Sequence, residues 1–126
     1  YQIDTEAVID ELFDTIESSP ATSSNPADYI DAHSLEYREL TYYGQYSLSY
    51  IFNKFMEGEQ NGLRGQLMKI LLDDLAPEAK LRLYAETGQE YFDEWAKGAV
   101  QVLEQHDMDW IKENQPAMWI YLQMVE

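Results

Sequence analysis

Apolar side chains recur along this chain at helical spacing, and the recurrence predicts a succession of short helices. Over residues 5–17, Val8, Ile9, Leu12, Phe13 and Ile16 fall at the i, i+1, i+4, i+5, i+8 positions of one helical face. Asp4 or Thr5 is placed to cap this helix, and Glu6 suits the positive end of its dipole. The opposite face stacks Glu6, Asp10 and Asp14 at i, i+4, and each such like-charge pair costs about 0.2–0.5 kcal/mol in an isolated helix. Packing of the apolar face must outweigh that.

Residues 18–26, Ser-Ser-Pro-Ala-Thr-Ser-Ser-Asn-Pro, break the pattern, because hydroxyl and amide side chains compete for backbone hydrogen bonds and proline cannot donate one. Asn25 as N-cap, Pro26 at the first helical position and Asp28 in the first turn then open a second helix, expected to run to about Leu40. Tyr29, Ile30, His33, Tyr37 and Leu40 lie along one side of it. Gly44 ends or bends that element. A third helix over 46–57 presents Leu48, Ile51, Phe52, Phe55 and Met56, with Gly58 as its stop. A fourth over about 63–75 uses Leu63, Leu67, Met68, Ile70, Leu71 and Leu75, and Pro77 is expected to open a short fifth carrying Leu81, Leu83 and Tyr84.

Thr87-Gly88-Gln89-Glu90 has the form of a capping box, followed by the stripe Tyr91, Phe92, Trp95, Ala99, Val102 and Leu103. Gly98 beside that stripe costs about 1 kcal/mol of helix propensity against alanine, which points to close helix–helix approach there. A further short helix is expected around Met108, Trp110 and Ile111. Residues 116–125 are apolar nearly all round, as in a buried helix or a central strand; the leading Pro116 and the lack of a partner strand favour helix. The expected fold is all-α, a single compact domain over 1–126 of about six to seven short helices.

The 126 residues make one domain of ordinary size, able to bury roughly two-thirds of the surface exposed by the unfolded chain. The net charge is −16, and the acid excess covers the whole length, with 12 acids and 2 bases in residues 1–63 and 12 and 6 in 64–126. Such a field repels phosphate backbones and anionic lipid, so neither nucleic acid nor direct lipid binding is expected. It also predicts that added salt, by screening the repulsion, raises stability. Without cysteine there is no disulfide, thiol nucleophile or thiolate metal site. No apolar run reaches the about 18 residues of a spanning helix. The chain opens on Tyr1, which is read as a processed or trimmed segment.

Candidate chemistry is sparse. His33 and Glu36 make a His-x-x-Glu pair on one helix face, but neither histidine has the preceding glutamate of a di-iron bundle and no His-Glu-x-x-His occurs. A core-edge histidine is the plainer reading of His33; His106 beside Asp107 reads as a helix end. Asp107-Met108-Asp109 has the alternation of two calcium ligands without the glycine or closing glutamate of a calcium loop. That group, Asp73-Asp74 and Glu90/Asp93/Glu94 read as solvated acidic faces. No Gly-x-Ser-x-Gly, phosphate loop or dinucleotide motif occurs, so no catalytic residue, metal or cofactor is assigned. The aromatics are unusual: of ten tyrosines, Tyr37, Tyr42, Tyr43, Tyr46 and Tyr50 fall within fourteen residues. Tyrosine joins an apolar body to a polar tip, which suits either a recognition surface, here Tyr42, Tyr43, Tyr46 and Tyr50, or the rim of a small core.

The run from Ser18 to Met68 includes Ser-Ser-Pro-Ala-Thr-Ser-Ser-Asn-Pro-Ala-Asp-Tyr-Ile-Asp-Ala-His, Glu-Tyr-Arg-Glu-Leu, Tyr-Gly-Gln-Tyr-Ser-Leu-Ser-Tyr and Gly-Leu-Arg-Gly-Gln-Leu-Met. It resembles an uncharacterised extracytoplasmic region of Gram-positive, mostly clostridial, proteins, akin to the C-terminal part of antirepressor-type membrane metallopeptidases related to β-lactam sensors. The resemblance spans about 50 residues and includes neither the peptidase motif nor a Ser-x-x-Lys acylation motif (Ser34 is followed at +3 by Tyr37, Ser47 by Tyr50). It implies a membrane-anchored, cell-surface domain for sensing or contact with a protein or cell-envelope partner. A small cytoplasmic protein-binding module and a carboxylate-dependent hydrolase working through His33, Glu36 or His106 are the other readings.

Overall fold

Asp4 begins the first helix, its carboxylate accepting the Ala7 N–H at 3.2 Å, and α1 runs over Thr5–Glu17. The computed structural model describes residues 4–125; residues 1–3 and 126 of the expected domain lie outside the described residues. Every regular element in that range is helical, and no strand occurs among the described residues. Eight α-helices, rather than six to seven, follow one another: α1, α2 (Pro26–Ala32), α3 (Ser34–Tyr42), α4 (Gln45–Glu57), α5 (Leu63–Leu75), α6 (Gly88–Gln105), α7 (Met108–Asn114) and α8 (Pro116–Met124).

The extra helix comes from a break at His33. Its backbone (φ −132°, ψ 50°) leaves the helical region, its N–H closes on Ile30, and its carbonyl receives the Tyr37 N–H to start α3 on a new axis. The expected helix after Pro77 is the opposite error. Only a 3-10 turn, Pro77–Ala79, forms there, and Leu81, Leu83 and Tyr84 lie on a non-helical strap that passes over α6. The alternation Lys80-Leu81-Arg82-Leu83-Tyr84 has period two, and a helical face needs 3.6. Residues 116–124 are helix, started by Pro116.

The core joins the predicted faces. Ile9, Phe13 and Ile16 of α1, Leu48, Ile51, Phe52 and Phe55 of α4, Leu67, Met68, Leu71 and Leu72 of α5, and Tyr91, Phe92, Trp95 and Ala99 of α6 are buried together. Phe52, Phe92, Trp95 and Tyr121 form an aromatic block whose ring centroids lie 5.3–6.2 Å apart, stacked, tilted or edge-on.

Two glycines fix how closely these helices meet. A Cβ on Gly88 would lie 2.0 Å from the Gly65 carbonyl oxygen, and one on Gly65 would lie 2.1 Å from that of Gln60. Gly98 is not such a site: its Cβ would meet only the Met118 methyl at 3.8 Å, an ordinary contact. Close approach therefore occurs at the N-termini of α5 and α6, not midway along α6.

Candidate functional site

The tyrosines divide. Tyr42 at the end of α3 is 85 % exposed and meets Tyr43 edge-on at 6.1 Å, and Tyr46 at the start of α4 is 56 % exposed. Tyr50 is 3 % exposed and does not belong to that surface. Its ring stacks on Phe13 at 5.5 Å, and its hydroxyl donates to Asp10 at 2.5 Å while accepting from Arg64 Nη1 at 2.9 Å. Arg64 also holds Asp14 at 2.6 Å and Glu17, with its guanidinium over the Phe13 ring. The crowded acidic face of α1 thus closes around one cation brought by α5. The Tyr50 hydrogen bond and then Arg64 hold the Asp10 carboxyl below its ordinary range against the opposing effect of burial. Burial opposes the Arg64 charge, but the Glu17 hydrogen bond and the surrounding carboxylates outweigh it and raise the guanidinium's pKa.

Tyrosine hydroxyls serve other acids in the same way. Tyr91 donates to Asp73 at 2.5 Å and accepts the Leu81 N–H at 2.9 Å; Tyr37 donates to Asp74. Asp73 is only 9 % exposed, with Lys69 at 3.7 Å, so it is a buried, partnered carboxylate rather than part of a solvated face. Burial first and the carboxylate partner second push the Tyr37, Tyr50 and Tyr91 hydroxyls far above their usual pKa.

His33 Nε2 lies 2.9 Å from Ser19 Oγ, and Nδ1 lies 3.6 Å from Glu36. The residue types are those of an acyl-transfer triad, yet the Glu36 contact is too long to be a hydrogen bond. Ser19 also follows the C-terminal, negative end of α1, where a developing oxyanion is opposed. The arrangement works as a latch that ties the 18–25 loop to the α2–α3 junction. His106 is the C-cap of α6 and stacks on Trp110 at 3.5 Å; Asp107 caps α7, accepting the Trp110 N–H at 2.9 Å. Among the described residues no three acidic or histidine side chains are grouped to hold a metal ion.

A groove of about 620 Å³ lies between the C-terminal end of α4, the first three turns of α6 and α8. Phe55, Met56, Phe92, Ala96, Val100 and Tyr121 make its apolar lining. Phe55 and Phe92 stack at 4.7 Å beneath it, and the Tyr121 hydroxyl has its pKa raised by burial and then by the nearby Asp93. Asp93 and Glu59 are exposed on the rim, and Lys97 there is already engaged by Glu94 at 3.0 Å. Glu59 sits at φ 62°, left-handed for a residue with a side chain, just after Gly58 at φ 92°.

Gln89 holds that rim in place. Its N–H donates to the Gln60 carbonyl at 3.1 Å, its Oε1 accepts the Gln60 N–H at 3.0 Å, and its Nε2 donates to the last-turn carbonyl of Phe55 at 3.0 Å. Sequence reasoning missed this groove because Met56 read as a core position on its own helix, while Ala96 and Val100 fell outside the expected stripe of α6. The Gln89 capping role had no signal beyond its place in the Thr87–Glu90 box. The box itself is half formed: Thr87 Oγ1 accepts the Glu90 N–H at 3.1 Å, but the Glu90 carboxylate receives the Glu86 N–H instead of that of Thr87. No helix among the described residues is long and apolar enough to cross a membrane. Comparison with protein-family models, with curated proteins and with solved structures finds no match to this chain.

Proposed function

We propose that this chain is a non-catalytic protein-interaction domain acting on the outer face of a Gram-positive cell membrane. In this reading the groove between α4, α6 and α8 receives a cationic segment of a protein partner anchored by bulky apolar side chains. The observation that carries this is the apolar floor of Met56, Ala96 and Val100, open to solvent beside the exposed acids Glu59 and Asp93. A groove of about 620 Å³ accommodates a few large side chains. The acidic rim and the chain's net charge of −16 favour lysine and arginine around those anchors, and the same field draws such a segment in. The location rests on the resemblance across Ser18–Met68.

Binding is tested with a fluorescein-labelled peptide carrying Leu and Phe anchors flanked by lysines, against a control with glutamate in place of each lysine. Saturable binding of the first alone, weakened by NaCl and reduced at least tenfold by Val100→Glu, is expected. Equal binding of both, or an unaffected variant, overturns the groove reading. Location is tested by an antibody against the domain on fractionated native cells. A band larger than 14.7 kDa in the membrane fraction is expected, and a soluble band near that mass contradicts it.

A further inference from the structure

The rim of the α4–α6–α8 groove is also the wall of a second groove. Asp93 and Lys97 of α6 line both the first, of about 620 Å³, and another of about 360 Å³ against the strap. Leu83, Tyr84, Glu90 and Glu94 line the second. Leu83 is 43 % exposed and Tyr84 87 %, so the fold leaves both apolar surfaces uncovered beside the acids. The charge there is unbalanced. Three carboxylates stand against one ammonium, and Glu94 already holds Lys97 at 3.0 Å. Glu90 accepts the Glu86 N–H on Oε2, and Asp93 accepts the Gln89 amide on Oδ1 at 3.0 Å. Each keeps its second oxygen without a partner among the described residues.

An aromatic ring and an aliphatic side chain beside carboxylates suit arginine. Its stem lies on apolar surface, its planar guanidinium stacks on an aromatic face, and the same plane donates to carboxylate oxygens. Lysine brings its charge as a hydrated point and stacks less well. An apolar side chain would cover the carboxylates without pairing them. We propose that the partner segment received by the first groove continues over the Asp93–Lys97 ridge and sets an arginine between Tyr84 and the acids of the second. This rests on the groove reading above and adds a second determinant of the partner, an arginine at a fixed distance from an apolar anchor.

Helix geometry sets that distance. Successive residues of α6 turn by about 100°, so Ala96 and Val100 of the first groove and Glu90 and Glu94 of the second lie on faces roughly a third of a turn apart. Across a helix about 10–12 Å in diameter that is about 10 Å. A chain in the polyproline conformation covers about 9 Å in three residues and returns every third side chain to the same side. The arginine is therefore expected three positions from the apolar anchor.

Fluorescence anisotropy tests this with variants of the lysine-flanked Leu–Phe peptide that carry serine, lysine or arginine at the third position before Leu or after Phe. Arginine at one of these positions is expected to tighten binding about tenfold over serine, and lysine to tighten it less. Tyr84→Ala, outside the first groove, is expected to remove the arginine gain and leave the affinity of the serine peptide unchanged, which also reports an intact fold. Glu90→Gln is expected to reduce the gain. No gain from arginine at either position, a gain equalled by lysine, or a gain that survives Tyr84→Ala overturns this proposal while the reading of the first groove stands. Failure of the serine peptide itself to bind overturns that reading, and this proposal with it.

Discussion

On the α1 side of α4, acids are paired: Asp10, Asp14 and Glu17 close around Arg64, and Tyr50 adds a hydroxyl from within the core. On the α6 side the same helix ends beside Glu59 and Asp93, whose carboxylates stand exposed around an apolar floor of Met56, Ala96 and Val100. A chain with three acids for each base cannot neutralise them all, and this one places an arginine where α1 must dock onto α4 and α5. The first side carries the charge pairing that docks α1, and the second holds the groove to which recognition is here proposed to belong.

The glycine junction supporting the groove is the most brittle point of the second side. Gly88→Ala is expected to cost about 3 kcal/mol or more, because its Cβ has no space against the Gly65 carbonyl and the obstacle is backbone. Gly98→Ala, with its loose methyl contact, is expected to be neutral or stabilising, gaining up to about 1 kcal/mol of helix propensity. Urea unfolding of the two variants measures the difference, and similar losses for both would break the assignment of close approach.

Arg64→Ala tests the first side. Removing the cation leaves three α1 carboxylates and the Tyr50–Asp10 pair facing one another, an expected loss of about 2 kcal/mol, moderated because Asp10 and Asp14 are substantially exposed. NaCl should raise the native melting temperature and raise that of the variant more, since the variant carries the larger unscreened repulsion. A native melting temperature that is flat or falls with salt contradicts the charge picture.

Alkaline pH strikes the tyrosine–carboxylate pairs. In the unfolded chain the Tyr37, Tyr50 and Tyr91 hydroxyls ionise near pH 10.0, whereas in the folded chain burial and Asp74, Asp10 and Asp73 hold their pKa values well above that. Their contribution is therefore fully present below pH 10 and is lost as pH rises beyond it, because the unfolded state gives up these protons first. Tyrosinate absorbance should show these hydroxyls ionising together with loss of helical circular dichroism; ionisation ahead of unfolding would contradict their burial. Thr87→Ala is expected to cost about 1 kcal/mol for one N-cap hydrogen bond, read by urea unfolding.

Helix positions were legible wherever one apolar face and a cap coincided, as at Asp4 and Asn25. The break at His33 was not, since nothing in Ala32-His33-Ser34 forbids helix and the latch to Ser19 comes from a distant loop. The strap was misread because Leu81, Leu83 and Tyr84 were weighed as apolar content and not by their period. Tyr50 looked like surface for a related reason: its spacing from Tyr46 is helical, but only the docking of α1 and Arg64 decides which tyrosine is covered. The groove belongs to three helices distant in sequence, so no local pattern announces it.

The central claim is that recognition lies on the α6 side of α4. Backbone amide NMR during titration with the lysine-flanked Leu–Phe peptide tests it most directly. Shifts concentrated at Phe55–Glu59, Gln89–Val100 and Tyr121, with Asp10, Asp14 and Arg64 unmoved, are the expected result. Shifts centred on the Arg64 face, or spread evenly over the acidic surface, would contradict it.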